Sequence, residues 1–333
     1  MRSFLISSAA LFLSVNVASA ADAAQWASRS IYQVLTDRFA LTDGSNPECD
    51  LYKYCGGTWA GITNKLDYIQ GMGFSAIQIS PVVKNFPENT EYGEAFHGYW
   101  PIDMYALNEN FGTAEDLKNL AAGLHERGMY LMVDVVMNNM ALPIEGSMTV
   151  DTVLDYSRLH PFDDAKYYHP YCDIDYSNDT SSQICWIANT IVALPDLATE
   201  NKEVTDIVHS WIKELVSNYS IDGLRIDAAK HVNDTFLQSF VEAAGVFTFG
   251  EIYASDPWQV CRYQGELVDG LPDFPVYYPA VGAFTNESMV PLSTMIKQVQ
   301  TICQNISYMG SFAENHDLPR FAELDDDMDV SYL

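Results

Sequence analysis

Positive charge is scarce in this sequence. The 333 residues include 17 Lys and Arg against 45 Asp and Glu, a formal net charge of −28. Such a surface repels nucleic acids and anionic membranes, so we expect neither as a partner and favour a neutral or cationic ligand. Long apolar runs are also lacking after Val17, so no later segment is expected to span a bilayer. At 48% hydrophobic residues, the composition is that of a globular protein with a large core.

The first twenty residues resemble a secretory leader. Met1-Arg2 is followed by the apolar run Phe4 to Val17 and the small-residue site Ala18-Ser19-Ala20. This pattern predicts a signal peptide over residues 1–20, cleaved before Ala21, and therefore a secreted, extracellular protein.

Cysteine spacing of the CxxC type is absent, which argues against zinc. Six cysteines in a secreted chain suggest three disulfides, and the sequence allows 15 pairings. Sequential pairing, in which each bond closes a local loop, is our prediction: Cys49/Cys55, Cys172/Cys185 and Cys261/Cys303. Export also fits five glycosylation sequons, at Asn178, Asn218, Asn233, Asn286 and Asn305.

Apolar strands alternate with amphipathic helices along most of the chain. Ile31 to Leu35, Ala76 to Ile79 and Met129 to Val136 are predicted strands. A helix with a capping-box-like start at Thr113 and Asp116 precedes the third of them. Continuous apolar strands between amphipathic helices indicate a parallel sheet covered on its faces, which is the α/β class.

The alternation breaks after Val136. Residues 138–199 are rich in Asp, Tyr, Ser and Pro and contain two of the cysteines, so they are predicted to form an inserted subdomain. The remaining parts of the predicted domain organisation are residues 21–137 and 200–333, on either side of the insertion.

Three acidic residues follow apolar strands. Asp227 follows Gly223 to Ile226, Glu251 follows Val246 to Gly250, and Asp317 lies beyond Tyr308 to Phe312. Acids at the same ends of parallel strands converge on one face. Arg225 shares a strand face with Asp227 because side chains alternate with period two, so it can hold that carboxylate ionised. An ordinary Arg–Asp ion pair is the alternative interpretation of that one stretch.

The chain resembles the α-amylase family of glycoside hydrolases, most closely the secreted fungal members, from about Gln25 to Phe321. Several motifs occur in the family's order: HGYW (His97 to Trp100), DVVMNN (Asp134 to Asn139), LPDL (Leu194 to Leu197), GLRIDAAKH (Gly223 to His231), GEIY (Gly250 to Tyr253) and FAENHD (Phe312 to Asp317).

The resemblance implies a (β/α)₈ TIM barrel with a calcium-binding insertion after strand three, and cleavage of α-1,4-glucans with retention of configuration. Asp227 would be the nucleophile, Glu251 the general acid/base and Asp317 the third acid, which stabilises the transition state. A retaining enzyme needs two carboxyls about 5–5.5 Å apart, one ionised and one protonated. We expect Arg225 to keep Asp227 charged, Asp134 to support Arg225, and Glu251, which follows an apolar run, to have the raised pKa.

Further residues carry over as contacts to an α-glucan or maltooligosaccharide. Aromatic faces stack on glucose rings, and histidines donate to sugar hydroxyls. Loop packing is the alternative for the HGYW residues. For Lys230 and His316, the alternatives are a solvated lysine and an ordinary loop histidine. The expected substrate-binding residues are His97, Tyr99, Trp100, Arg225, Asn139, Lys230 and His316.

The resemblance also implies Ca²⁺ held by oxygen atoms of Asn138, Asp196 and the His231 carbonyl, which would tie the insertion to strand four. Gln183 stands where the family usually has an acidic ligand just before the second cysteine of the insertion. Without a metal, Asn138 and Asp196 would be ordinary polar loop residues.

Two departures from the family pattern leave other functions open. Asn139 replaces a histidine that donates to the sugar at the cleavage point, and 4-α-glucanotransfer is therefore an alternative to hydrolysis. Only Leu318 to Leu333 follow Asp317, which leaves about seven barrel strands and no C-terminal β-sandwich. A truncated, inactive glucan-binding protein is thus the non-enzyme alternative. A monomer is expected in each case.

Overall fold

The computed structural model of the protein describes residues 21–285 and 288–324. The predicted signal peptide (residues 1–20), the sequon at Asn286 and residues 325–329 of the acidic run after Glu323 lie outside the described residues.

A parallel sheet of apolar strands forms the centre of the fold. Its five strands are ordered β1-β2-β5-β8-β9, and all neighbours are parallel. The strands of the described residues are β1 (Ile31–Val34), β2 (Ala76–Ile79), β3 (Val83–Asn85), β4 (Pro101–Leu107), β5 (Tyr130–Val135), β6 (Leu142–Ser147), β7 (Asn189–Ala193), β8 (Gly223–Ile226), β9 (Phe247–Gly250), β10 (Leu271–Pro272) and β11 (Met309–Gly310).

Two short strands continue the sheet beyond β9. The Gly250 N–H donates to the Gly270 carbonyl and the Gly270 N–H donates to the Thr248 carbonyl, both at 3.0 Å. These bonds connect β9 to the residue before β10, and β10 pairs in parallel with β11. Seven parallel strands therefore follow one another in barrel order, which confirms the predicted fold class. Within the part of the chain described, no ladder joins β11 to β1, and a cavity of about 430 Å³ lies along this seam.

Amphipathic helices cover the outside of the sheet. The longest, α7, buries Val204, Val208, Trp211, Ile212 and Leu215 at the spacing expected for one helical face. The helices of the described residues are α1 (Ala23–Ala27), α2 (Thr36–Phe39), α3 (Trp59–Thr63), α4 (Leu66–Gly71), α5 (Ala114–Glu126), α6 (Asp179–Ile184), α7 (Lys202–Tyr219), α8 (Asp234–Ala244), α9 (Pro257–Cys261), α10 (Phe274–Phe284), α11 (Met289–Ile302) and α12 (Phe321–Leu324).

The segment between β5 and α7 differs from the alternating units. It contains the antiparallel pair β6 and β7, the short helix α6 and the Cys172–Cys185 disulfide. Helix α6 lies against a single 3₁₀ turn, Ala229–His231, that follows β8. This segment follows β5, the third strand of the central sheet.

Trp26 of α1 packs against the end of the sheet at which β8 and β9 begin. Its ring stacks on Phe247 with centroids 5.2 Å apart, and its Nε1 donates to the Asp222 carbonyl at 3.2 Å. A Cβ atom on Gly223 would lie 2.7 Å from the Trp26 ring, so the first residue of β8 has to be glycine for this contact. The contact thereby fixes the start of the strand that leads to Asp227.

The cysteines pair as predicted, in sequential order: Cys49–Cys55, Cys172–Cys185 and Cys261–Cys303. Among the helices of residues 21–285 and 288–324, none is both long and apolar enough to cross a bilayer.

Candidate active site

Two carboxylates leave the same edge of the sheet. Ile226 and Gly250, the last residues of β8 and β9, are direct partners in the parallel register, so Asp227 and Glu251 follow side by side. The Asp227 N–H donates to the Val135 carbonyl, and the Glu251 N–H donates to the Ile226 carbonyl, both at 3.0 Å. These bonds extend the ladder by one residue and set the backbone of both acids.

Arg225 connects three carboxylates from three neighbouring strands. Its Nη1 lies 2.6 Å from Asp227 Oδ1 and 3.0 Å from Asp134 Oδ2, and its Nη2 lies 2.6 Å from Glu251 Oε1. The arginine is 5% exposed and Asp134 is 1% exposed. One buried cation thus compensates a buried and two partly buried carboxylates; the contacts to Asp134 and Asp227 were expected from the sequence.

Burial raises the pKa of Asp227 to about 8; Arg225 opposes this shift, while Glu251 and Asp134 add to it. From the sequence, Arg225 was expected to keep Asp227 ionised. The structure gives the opposite direction, because burial is a larger effect than the attraction of Arg225 and the two neighbouring carboxylates add to it.

Stacked rings form one side of the site. The Tyr99 ring lies parallel to the His316 ring, with centroids 5.2 Å apart, and its hydroxyl donates to Asp134 Oδ2 at 2.7 Å. The Tyr99 N–H donates to His97 Nδ1 at 3.0 Å, while burial lowers the pKa of His97 to about 4. His97 is therefore neutral with its proton on Nε2, a hydrogen-bond donor.

A cleft of about 370 Å³ brings together most of the predicted site residues. His97 and Arg225 are not in its lining, although His97 stacks on Tyr99 with centroids 5.7 Å apart. The predicted site residues that line the cleft are Tyr99, Trp100, Asn139, Asp227, Lys230, His231, Glu251, His316 and Asp317.

Tyr253 is a lining residue that the sequence analysis did not assign. It is 47% exposed, and its ring packs on buried Phe274 with centroids 4.8 Å apart. An aromatic residue two positions after Glu251 was the available signal, because the loop after the strand keeps it at the same edge as the acid.

Two of the residues predicted to hold a cation lie in buried segments that contact each other. Asn138 and Asp196 are each 1% exposed, and the Leu197 N–H donates to the Asn138 carbonyl at 2.8 Å. Asp196 Oδ2 is 2.7 Å from His169 Nδ1, whereas Asp196 Oδ1 is buried and has no hydrogen-bond partner. A buried carboxylate oxygen without a partner suits an oxygen-preferring cation.

The other two predicted ligands lie where α6 meets the turn after β8. His231 Nδ1 is 2.9 Å from the Ser182 carbonyl, next to Gln183. In the described ranges, no three His, Cys, Asp or Glu side chains cluster as a metal site, so any cation here would depend on amide and carbonyl oxygens.

Comparison with known proteins identifies the family of the chain. The family model described as "Alpha amylase, catalytic domain" matches residues 33–331. The chain therefore belongs to the alpha-amylase family.

Named relatives cover nearly all of the chain. Alpha-amylase 2 of Schwanniomyces occidentalis is 50% identical over 324 residues, which is 96% of this chain and 63% of that protein. The structure of an alpha-amylase from Malbranchea cinnamomea is 49% identical with a TM-score of 0.89, covering 93% of this chain and 66% of that one. An alpha-amylase from Geobacillus thermoleovorans, solved with acarbose, is 32% identical with a TM-score of 0.77 and covers 90% and 64%. The chain thus spans less than two thirds of the length of the first of these relatives.

Proposed function

We propose that the chain hydrolyses internal α-1,4-glucosidic bonds of starch-type or glycogen-type glucans with retention of anomeric configuration. The observation that carries this proposal is the Arg225 contact to both Asp227 and Glu251 at the mouth of a sheet with the alpha-amylase fold. Retaining cleavage requires two neighbouring carboxyl groups, and Asp227 and Glu251 follow register partners on adjacent strands and share one guanidinium.

The roles proposed for the three acids follow their positions. Asp227, at the end of β8, attacks the anomeric carbon and forms a glycosyl-enzyme. Glu251 gives a proton to the leaving oxygen and then removes one from water. Asp317, 44% exposed beside His316 at the same cleft, holds substrate hydroxyls in the transition state.

Substrate contacts are proposed for the remaining lining groups. Trp100 offers a ring face to a glucose unit, Tyr99 holds the stacked His316 beside the sugar, and His97 donates from Nε2. Lys230, His316 and Asn139 add polar contacts from other sides of the cleft, while Arg225 acts through the carboxylates that it holds.

Calcium is proposed as a structural cation. Asn138 and Asp196 would hold it by side-chain oxygens, and His231 and Gln183 would supply oxygens from the α6 side. When bound, the ion supplies charge compensation for Asp196, whose pKa burial raises to about 7. Its position would connect residues 138–199, the proposed subdomain, to the barrel parts at 21–137 and 200–333.

Secretion is proposed from the leader-like residues 1–20 and from the three disulfides, which persist in oxidising compartments. Glycosylation is proposed at the Asn-x-Ser/Thr sequons, and the protein is proposed to be a monomer.

Hydrolysis is favoured over transfer and over an inactive glucan-binding protein because the relatives near 50% identity are named alpha-amylases. The transferase alternative depended on Asn139. This residue is 2% exposed, and its Nδ2 donates to the Met140 carbonyl at 3.1 Å, which leaves the second N–H and the oxygen of the amide for a sugar hydroxyl.

Incubation with maltoheptaose tests the proposal. The full chain is expected to release only shorter oligosaccharides, whereas products longer than maltoheptaose would indicate transfer. Asp227→Asn should abolish turnover while the thermal transition stays close to that of the unmodified chain, because the amide keeps the shape of the nucleophile but cannot attack. Near wild-type turnover by this variant would remove Asp227 from the proposed role.

A further inference from the structure

A glutamine on the first strand reaches the last segment of the site. Gln33 lies on β1, next to Gln78 of β2 in the parallel register. Its Nε2 is 2.7 Å from Nδ1 of His316, a residue 283 positions further along the chain. The contact crosses the seam between β1 and β11, and both residues line the cavity there.

The chemistry of this contact determines where the His316 proton sits. An amide nitrogen has only donors, so His316 Nδ1 must accept from Gln33 and cannot carry a proton in the neutral ring. On the opposite side of the ring, Nε2 lies 3.3 Å from Asp317 Oδ2. A carboxylate only accepts, so its position is compatible with a proton on Nε2. The Gln33 hydrogen bond therefore sets the tautomer, and the nearby carboxylate is compatible with it.

The plane of the ring is fixed separately. Tyr99 lies parallel to the imidazole, with an interplanar angle of 3°, and Tyr99 is itself held through its hydroxyl by Asp134. Stacking does not distinguish between the two ring orientations that a 180° flip about the Cβ–Cγ bond exchanges. Gln33 is the group that distinguishes the two ring nitrogens.

We propose that Gln33 is a positioning residue that selects the Nε2–H tautomer of His316 and aims that donor at Asp317 and the glucan cleft. The inference depends on the proposed function only for its consequence in turnover. The tautomer itself can be measured without substrate.

Ring-nitrogen NMR on the full chain labelled with ¹⁵N-histidine measures the tautomer directly. The His316 signals are assigned by their absence from His316→Gln. The unmodified chain should show a protonated Nε2 and an unprotonated Nδ1. Gln33→Glu has the same shape but presents acceptors, so it should place a proton on Nδ1 of His316.

Gln78→Met is the matched control, because Gln78 lies beside Gln33 and lines the same cavity. It should leave the His316 signals unchanged, whereas Gln33→Met should lose the preference between the two nitrogens. Identical His316 signals in the unmodified chain and in Gln33→Glu, or an Nδ1–H tautomer in the unmodified chain, would overturn the proposal.

Kinetics with maltoheptaose separate a positioning role from a purely structural one. Gln33→Met should lower kcat/KM by roughly 5- to 10-fold, the equivalent of about one net hydrogen bond, while Gln78→Met should not. An unmodified chain that shows the expected tautomer but no turnover would contradict the proposed function and support the Gln33 assignment. Turnover by the unmodified chain together with an unchanged tautomer in Gln33→Glu would support the proposed function and contradict the Gln33 assignment.

Discussion

Arg225 is the residue on which the electrostatics of the site depend. It is buried and contacts Asp134, Asp227 and Glu251, and burial raises the pKa of both aspartates. Removing one partner of a buried ionic group leaves the others without compensation, which costs more than the group contributes on balance.

Arg225→Met should therefore lower the free energy of unfolding by roughly 3–5 kcal/mol near neutral pH. In this variant the carboxyls have folded-state pKa values above their unfolded values, so the folded protein binds protons more readily. The penalty should shrink as pH falls towards the ordinary aspartate pKa of about 4. Urea unfolding at pH 5 and pH 7 measures it, with Asp227→Asn as the control. A penalty that is equal at both pH values would contradict this account.

The sequence predicted Arg225 and its partners because they are close neighbours in a repeating pattern. Arg225 and Asp227 share a strand face, and Asp134 lies opposite Arg225 on the adjacent strand. Gln33 gave a weaker signal, a single polar residue in an apolar strand. Its partner His316 lies 283 positions away, and only the three-dimensional fold identifies that pairing.

At the scale of elements, a histidine connects α5 to β8. His125, in the last turn of α5, lies 2.8 Å from Asp222 Oδ2, and the same carboxylate oxygen accepts from the Leu131 N–H at 2.7 Å. The hydrogen bond to Asp222 raises the pKa of His125 above its ordinary value of 6.5. The charged pair thus fixes the helix to the strand whose other end leads to Asp227.

Stability should depend on pH through this pair. A histidine with a raised folded-state pKa stabilises fully below pH 6.5, and this contribution is lost as pH rises through the folded-state pKa. The effect should stay under about 1 kcal/mol because the histidine is partly exposed. Thermal unfolding between pH 6 and pH 8 should show a smaller decline in His125→Gln than in the unmodified chain. An equal decline would mean that the pair contributes nothing.

Element existence was easier to predict than element length. The predicted strands Ile31 to Leu35 and Met129 to Val136 differ from the observed strands by one residue at an end or at both ends. The predicted run Tyr308 to Phe312 contains only the two-residue strand β11. Strand β10 was not predicted, because Leu271–Pro272 is too short to show a period.

At the scale of the whole molecule, the proposed calcium would join parts of the chain that are distant in sequence. Asn138 follows β5, Asp196 lies after β7, and His231 follows β8. A cation held by all three would stabilise their mutual arrangement, because a ligand that binds only the folded state stabilises it.

Chelation should consequently lower the thermal midpoint of the full chain, and added Ca²⁺ should restore it. With free calcium at 100 times the dissociation constant, the expected contribution is about 2.7 kcal/mol. Asp196→Asn should reduce the difference between chelated and calcium-loaded protein, while Asp173→Asn, in an exposed part of the insertion, should leave it unchanged. A midpoint that does not respond to chelator would argue against a structural calcium.

The register of the central strands has a consequence for how folding can be followed. Asp134 and Arg225 are direct partners across β5 and β8, and Arg225 is opposite Phe249 of β9. A slip of one residue in β8 would turn the guanidinium to the other face of the sheet and disperse the three carboxylates. Turnover would then appear only in molecules whose three central strands have aligned correctly. Recovery of activity during refolding would therefore count correctly assembled molecules, while circular dichroism would also count misaligned ones.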